Sequence, residues 1–351
     1  MEPNFIFIDQ TLSYALRSKA MATSEFIFIK KEIARMAKVI FDIPLDSLTG
    51  IQGYKVIDFR DVRAGISMNV DQVKRAYDLG CDQIKLSFEP VALRNSLPPF
   101  MAALAEAVRR GMTTAIHGID IARYSLDTIA ILRKLIKEDR LAGMIVDDPG
   151  GRLHPLATYR TLLDLKQVIP YPIEYHGRNT LGLATGNVLG AVKSDIRKMA
   201  VSIGGVGGYP AFEEVIMSIG HLLKMPVSVP PNMAITCKKI LDCMGLSIPA
   251  AKPIIGSHIF AHESGIHVDG VLKKSELYEP FRPELVGLPR IIIIGKHSGK
   301  AAVEQKLKEL NISINPSHLS RVLEKVRELS NRQKAPVSDA QLPQLVLETA
   351  L

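Results

Sequence analysis

A histidine-rich segment between Gly256 and Gly270 carries the densest set of reactive side chains in the sequence. It reads GSHIFAHESGIHVDG and contains three histidines. His262, Glu263 and His267 have the spacing HExxxH, one residue longer than the HExxH of zinc proteases, so the two histidines fall on different faces of a helix. Gly265 also argues against a helix here. The composition therefore favours general acid–base chemistry or substrate contact over metal binding.

Five further polar residues follow short apolar runs in the first part of the chain and are candidates for substrate binding. They are Asp9, Asp148, His176, Arg178 and Asn179. Each has a structural alternative. His176 equally suits a structural histidine that is hydrogen-bonded inside the barrel, and Asp148 a cap beside a helix. Arg178 would serve either to bind an anion or to form an ion pair with a nearby carboxylate. The glycines of residues 204–208 lack the spacing of a dinucleotide fingerprint, which leaves a tight turn or a close approach to a ligand.

Apolar, β-rich runs alternate with amphipathic helical patterns up to Met225. The predicted strands are Phe5–Ile8, Leu45–Thr49, Tyr54–Asp58, Gln83–Ser87, Thr113–His117, Gly143–Asp147, Ile173–His176 and Met199–Ile203. The predicted helices are Ser24–Ile40, Met101–Arg110, Leu126–Lys137, Pro155–Val168 and Ala211–Leu223. Such alternation over about 225 residues predicts the α/β class and a (β/α)8 TIM barrel, whose active residues lie at the carboxyl ends of the strands.

The pattern changes after Met225, and we expect three parts in the chain. Residues 1–225 form the barrel, residues 226–290 a proline-rich linker and lid, and residues 291–351 a small C-terminal helical subdomain. A short helix is predicted near Ala234–Met244, and two more over Ser298–Leu310 and Pro316–Asn331. A loose tail follows to Leu351.

Composition narrows the class of protein. The 351 residues are 47% hydrophobic and 23% charged, which excludes disorder and coiled-coil character. The net charge of +8 is not concentrated in a basic block and tryptophan is absent, so we expect no nucleic-acid partner. No apolar run approaches the roughly 18 residues of a membrane span. Three cysteines without CxxC, and no basic leader, favour a cytoplasmic protein.

Four sequence strings carry a resemblance to a known family. They are HGRNTLGLATGN from His176, FAHESGIHVDG from Phe260, LYEPFRPELVG from Leu277 and IGKHSG from Ile294. In this order they resemble the homocitrate, isopropylmalate and citramalate synthases, and fainter similarity reaches back to Asp9. The resemblance implies a TIM barrel, a lid, an intertwined dimer, and condensation of acetyl-CoA with a 2-oxo acid at a divalent metal such as Mg or Mn.

The lid retains the residues that the family uses for proton transfer. His267 matches the family's lid histidine and Tyr278 its lid tyrosine, the pair implicated in deprotonating the acetyl methyl group. In the intertwined dimer these side chains reach into the barrel of the other subunit. The resemblance therefore assigns His267 and Tyr278 as catalytic residues that this chain lends to a partner.

The barrel departs from the family where the metal binds. Ser13 stands at the position of an arginine, Tyr14 at that of a ligand aspartate, and Arg178 at that of the second histidine of His-x-His. Further departures are Ile119-Asp120, Asp148 at a threonine that binds the oxo acid, Thr180, and Gly204-Gly205-Val206. A divalent cation needs several such ligands, and a guanidinium repels it. We therefore expect no metal in this chain alone, and no condensation by the isolated chain.

A retained lid beside a degenerate barrel resembles the omega-type subunit of the split homocitrate synthases of nitrogen-fixing bacteria. Such a chain would form a homodimer or a heteromer with a metal-competent family subunit and act on acetyl-CoA and 2-oxoglutarate. Homocitrate would then serve the nitrogenase iron–molybdenum cofactor. Two alternatives stay open: a non-catalytic regulatory paralogue, and a metal-free lyase in which Asp9, Asp148, His176 and Arg178 bind a small dicarboxylate.

Overall fold

The protein divides into two compact units. A computed structural model describes residues 5–88, 93–118, 120 and 141–350, without the side chains of 93–96 and 350. The first unit comprises residues 1–230 and 236–247, and the second comprises 231–235 and 248–351. The three-part division at residues 225 and 290 stays a prediction.

The first unit is a closed barrel of eight parallel strands, so the predicted TIM barrel is confirmed. The strands are β1 Ile6–Asp9, β2 Val39–Pro44, β3 Val62–Ile66, β4 Gln83–Phe88, β5 Thr113–Gly118, β6 Leu141–Asp147, β7 Ile173–His176 and β8 Lys198–Val201. Pairing of β1 with β8 closes the barrel. Its helices are α1 Thr11–Ser18, α2 Thr23–Met36, α3 Leu45–Thr49, α4 Val70–Asp78, α5 Leu93–Arg109, α6 Pro155–Val168, α7 Ala184–Lys193 and α8 Phe212–Met217. A helix α9, Met233–Cys243, follows.

Two of the predicted strands are wrong. Leu45–Thr49 is helix α3, in which Leu45 and Leu48 are buried at helical spacing, and Tyr54–Val56 is a turn of 3-10 helix. The true strands, β2 and β3, were missed because each carries a buried charge, Asp42 in β2 and Arg63 in β3. These charges interrupt the apolar pattern, and only their pairing across the barrel makes their burial possible.

The second unit is small and mostly helical. It contains a parallel pair of short strands, β9 Ala261–His262 and β10 Ile291–Ile292. Its helices are α10 Gly265–Lys273, α11 Lys300–Glu309, α12 Leu319–Gln333 and α13 Leu342–Ala350. They enclose a core of aliphatic side chains that includes Val268, Ile294, Val303, Leu307, Val322, Val326 and Leu342.

Two expectations for this unit are wrong. Gly265 begins helix α10 rather than opposing it, because its missing side chain lets the backbone of Gly299 approach; a Cβ at residue 265 would lie 2.5 Å from the Gly299 Cα. The tail predicted to be loose contains α13, whose Leu342 and Leu345 are buried. The helix predicted over Leu126–Lys137 lies outside the described residues. In the described ranges, no helix is both long and apolar enough for a membrane crossing.

Candidate active site

The interior of the barrel holds a network of paired charges. Arg63 of β3 donates two hydrogen bonds to Glu174 of β7, at 2.8 and 2.7 Å, and lies 3.3 Å from Asp42 of β2. Lys85 of β4 donates to the same aspartate at 2.6 Å, and Gln10 donates to it at 3.0 Å. Burial would raise the pKa of Asp42, but the Arg63 and Lys85 cations hold it well below its ordinary value. The network therefore keeps both carboxylates ionised inside the barrel.

His176 belongs to this network. It lies two residues after Glu174 on β7, so both side chains face the interior, and its Nε2 lies 2.5 Å from Oε1 of Glu174. Burial lowers the pKa of His176, although Glu174 opposes that shift. The His176 ring therefore contacts a carboxylate that is itself bound by Arg63. This arrangement fits the structural alternative given above, a hydrogen-bonded histidine inside the barrel.

Arg178 and Asn179 contact the glycine-rich turn that follows β8. The Arg178 guanidinium lies 3.7 Å from the ring centre of Tyr209 and donates to the Gly207 carbonyl at 3.0 Å. The Asn179 backbone N–H donates to the Gly208 carbonyl at 2.8 Å, and its Oδ1 accepts from the N–H of Ala184 at 3.1 Å. Both residues therefore hold the rim of the barrel together.

Asp9 and Asp148 bind nearby backbone groups. The Asp9 carboxylate accepts from the N–H groups of Thr11 and Leu12, at 3.1 and 3.0 Å, at the start of α1. Burial raises its pKa to about 6. The Asp148 carboxylate accepts from the N–H groups of Arg152 and Leu153, at 3.0 and 2.8 Å. Both carboxylates thus have local structural partners, and their roles in substrate binding stay predictions.

Three residues that the sequence analysis did not select do come together at the carboxyl ends of β4, β5 and β6. Ser87 pairs with His117 in the strand register, and its Oγ lies 3.0 Å from Nδ1 of the ring. Nε2 of His117 lies 3.0 Å from Oδ2 of Asp147, without the geometry of a regular hydrogen bond. The sequence could have pointed to this group, because each of the three residues is the last residue of a predicted strand, where active residues of a TIM barrel lie.

The two lid candidates are neighbours in the second unit. The rings of His267 and Tyr278 have centres 5.4 Å apart. Gly270, one turn beyond His267 in α10, makes this possible, because a Cβ at that position would overlap the tyrosine ring. Glu279, which follows Tyr278, accepts two hydrogen bonds from Arg290, at 2.7 and 2.6 Å. It also lies 3.2 Å from Nε2 of His262. The segment that carries Tyr278 is therefore anchored.

The described residues do not fit the metal site that the resemblance implies. At the three ligand positions, Tyr14 brings a phenol, Arg178 brings a cation, and His176 is bound by Glu174. Within the described part of the chain, no group of three or more His, Cys, Asp or Glu side chains is arranged to hold a metal ion. The donor set is thus unsuited to a hard divalent cation.

Two protein-family models and several known proteins are similar to this chain. Residues 85–242 match the HMGL-like family model, and residues 254–334 match the homocitrate synthase post-HMGL domain-like model. The chain is 31% identical over 292 residues to homocitrate synthase 1 of a Nostoc species, covering 82% of this chain and 77% of that protein. It is 30% identical over 321 residues to 2-isopropylmalate synthase 2 of Caldanaerobacter subterraneus, covering 89% of this chain and 81% of that protein.

Similarity to solved structures supports the fold. The HMG-CoA lyase of Brucella melitensis superposes with a TM-score of 0.54 at 12% identity, covering 70% of this chain and 98% of that chain. At this identity the likeness concerns the barrel architecture alone.

Proposed function

This chain belongs to the family of acetyl-CoA:2-oxo acid condensing synthases, and we propose that within it the chain is a subunit that lends its lid to a metal-competent partner. The proposed reaction is that of a homocitrate synthase, with acetyl-CoA and 2-oxoglutarate as substrates. Its product would serve nitrogenase cofactor synthesis in the cytoplasm.

One observation carries the proposal: the acid–base pair is kept while the ligand positions are filled by other contacts. His267 and Tyr278 lie ring to ring, and Gly270 leaves room for the tyrosine. In the barrel, Glu174, itself bound by Arg63, contacts His176, and Arg178 stacks on Tyr209. The retained lid pair beside the replaced ligand residues favours a chain that still uses its lid and no longer uses its own metal site.

The proposed division of labour follows from the chemistry of each part. The partner barrel would supply the divalent metal and the bound oxo acid. His267 and Tyr278 of this chain would hold and move the proton that leaves the acetyl methyl group, a role typically worth about 10²–10⁴ in rate. This chain's own barrel would take no part in the condensation.

The experiment is complementation with a family chain that has an intact metal site. The mixture should form a heteromer that condenses acetyl-CoA with 2-oxoglutarate. His267→Gln and Tyr278→Phe keep most of each side chain's shape, so they should lower turnover on the order of 10²-fold or more without loss of assembly. Arg178→Ala in this chain is the matched control and should leave turnover unchanged, because the barrel is proposed to be silent.

The same experiment separates the regulatory alternative. A regulatory paralogue would alter its partner's activity through assembly alone, so the effect would survive both lid substitutions. Turnover within a factor of about two of the unsubstituted heteromer would overturn the donated-lid mechanism.

A further inference from the structure

Ser87, His117 and Asp147 lie in the order of an activated serine, with a hydrogen bond between the first two and a 3.0 Å approach, short of a regular hydrogen bond, between the last two. Asp147 uses Oδ1 to accept the N–H of Asp120 at 2.7 Å, and its Oδ2 faces the histidine ring. A carboxylate only accepts, so the histidine proton belongs on Nε2, beside Oδ2. Nδ1 is then the free acceptor, and the Ser87 hydroxyl, 3.0 Å away, donates to it. This is the polarity that a base needs to deprotonate a serine.

Two members of the group line a cavity in the described part of the chain. Ser87 and His117 line an open cavity of about 410 Å³ at the carboxyl end of the barrel. Ile66, Met68 and Phe88 contribute apolar walls beside these two polar groups. Such a mixture suits a short apolar acyl chain whose carbonyl carbon lies next to the hydroxyl.

We propose that Ser87, His117 and Asp147 form a nucleophile, base and orienting carboxylate that accept an acyl group from a small ester or thioester. Ser87 Oγ forms a bond to the carbonyl carbon while His117 Nδ1 takes the hydroxyl proton. The ester C–O or thioester C–S bond then breaks, and His117 returns the proton to the leaving alkoxide or thiolate. Water, deprotonated by His117, next attacks the acyl-serine, which releases the carboxylic acid and restores the serine.

This chemistry is independent of the proposed condensation. It takes place in the chain's own barrel, needs no metal or partner, and uses none of the lid residues. Failure of one proposal therefore leaves the other standing.

The test uses the full chain alone with p-nitrophenyl acetate and p-nitrophenyl butyrate. We expect a burst of nitrophenol close to one per chain, followed by slower turnover. Mass spectrometry of the digested protein should place one acyl group on the peptide that contains Ser87. His117→Gln should lower the acylation rate on the order of 10²-fold.

Two serine variants and a control decide the assignment. Ser87→Ala should abolish the burst, whereas Ser87→Cys keeps a nucleophile and should still be acylated at residue 87. Ser18→Ala removes an exposed hydroxyl that donates to the Tyr14 carbonyl, far along the chain from the triad, and should acylate as the native protein does. Circular dichroism checks that each variant is folded. Absence of a burst with both esters, an unchanged burst in folded Ser87→Ala, or acyl groups only on other residues would each overturn the proposal.

Discussion

Replacing Arg63 by methionine should strongly destabilise the barrel. The side chain is 2% exposed and donates two hydrogen bonds to Glu174, itself 4% exposed. Methionine fills much of the volume of the arginine side chain, but it leaves two buried carboxylates, Glu174 and Asp42, without the positive charge of Arg63 that helps to balance them. Removing one partner of a buried pair costs about 3–5 kcal/mol. We expect a loss of that size in the free energy of unfolding, measured by urea titration with circular dichroism.

The pH dependence gives this prediction a sign. In the native chain, burial would raise the pKa of Glu174, but Arg63 holds it below its usual value, so the pair's contribution is present above the unfolded pKa and lost as pH falls. Without Arg63, burial raises that pKa instead, and the variant gains stability as pH falls towards the unfolded value. The difference between native and variant should therefore shrink from pH 8 to about pH 5.

Two comparisons test the reasoning. Arg60→Met is the matched control, because Arg60 pairs with Asp58 on the surface with 75% of its side chain exposed, and it should change stability little. Adding Glu174→Gln to Arg63→Met should recover part of the loss, since it removes the orphaned charge. A loss below about 1 kcal/mol for Arg63→Met, or a difference that grows on acidification, would refute the account of the network.

Three further predictions concern other residues. Asp148→Ala should cost about 1–3 kcal/mol in the free energy of unfolding, because two partly buried backbone N–H groups lose a charged acceptor; an unchanged urea midpoint would contradict this. Burial raises the pKa of Asp9 from 3.8 to about 6, so between these two values the folded chain holds a proton that the unfolded chain releases. Relative to Asp9→Asn, the free energy of unfolding of the native chain should therefore rise from pH 7 to about pH 4 by up to about 3 kcal/mol. A difference that does not depend on pH would argue against this. Gly270→Ala should lower the thermal midpoint and heteromer turnover because the new methyl group overlaps the Tyr278 ring, although helix propensity alone favours alanine by about 1 kcal/mol; a raised midpoint would show that the ring moves freely.

The barrel could be predicted from sequence because most of its strands read as short β-rich runs between amphipathic helices. β1 and β4 to β8 overlap predicted strands, and most of their apolar residues are buried as expected. β2 and β3 could not be predicted in the same way. Asp42 and Arg63 lie inside the barrel, where they pair with each other. Their charges are balanced further by Lys85, which binds Asp42, and by Glu174, which binds Arg63 from 111 residues later in the chain.

The lid pair was recognisable from motifs, whereas the state of the barrel site was not. The strings around His267 and Tyr278 identify the residues, but the overlap of Gly270 with the tyrosine ring is a fact of three dimensions. The sequence showed that Arg178 replaces a ligand, without showing that it would stack on Tyr209. Ser87 and His117 were missed as a pair because only the strand register sets them side by side.

Metal titration of the isolated chain tests the central claim most directly. Calorimetry with magnesium, manganese and zinc should find no stoichiometric site at micromolar affinity, because Tyr14 and Arg178 replace two ligands and Glu174 holds His176. The double substitution Tyr14→Asp with Arg178→His, which returns the two ligand types, should create or strengthen binding. A stoichiometric site in the unaltered chain that EDTA reverses and His176→Ala abolishes would contradict the account.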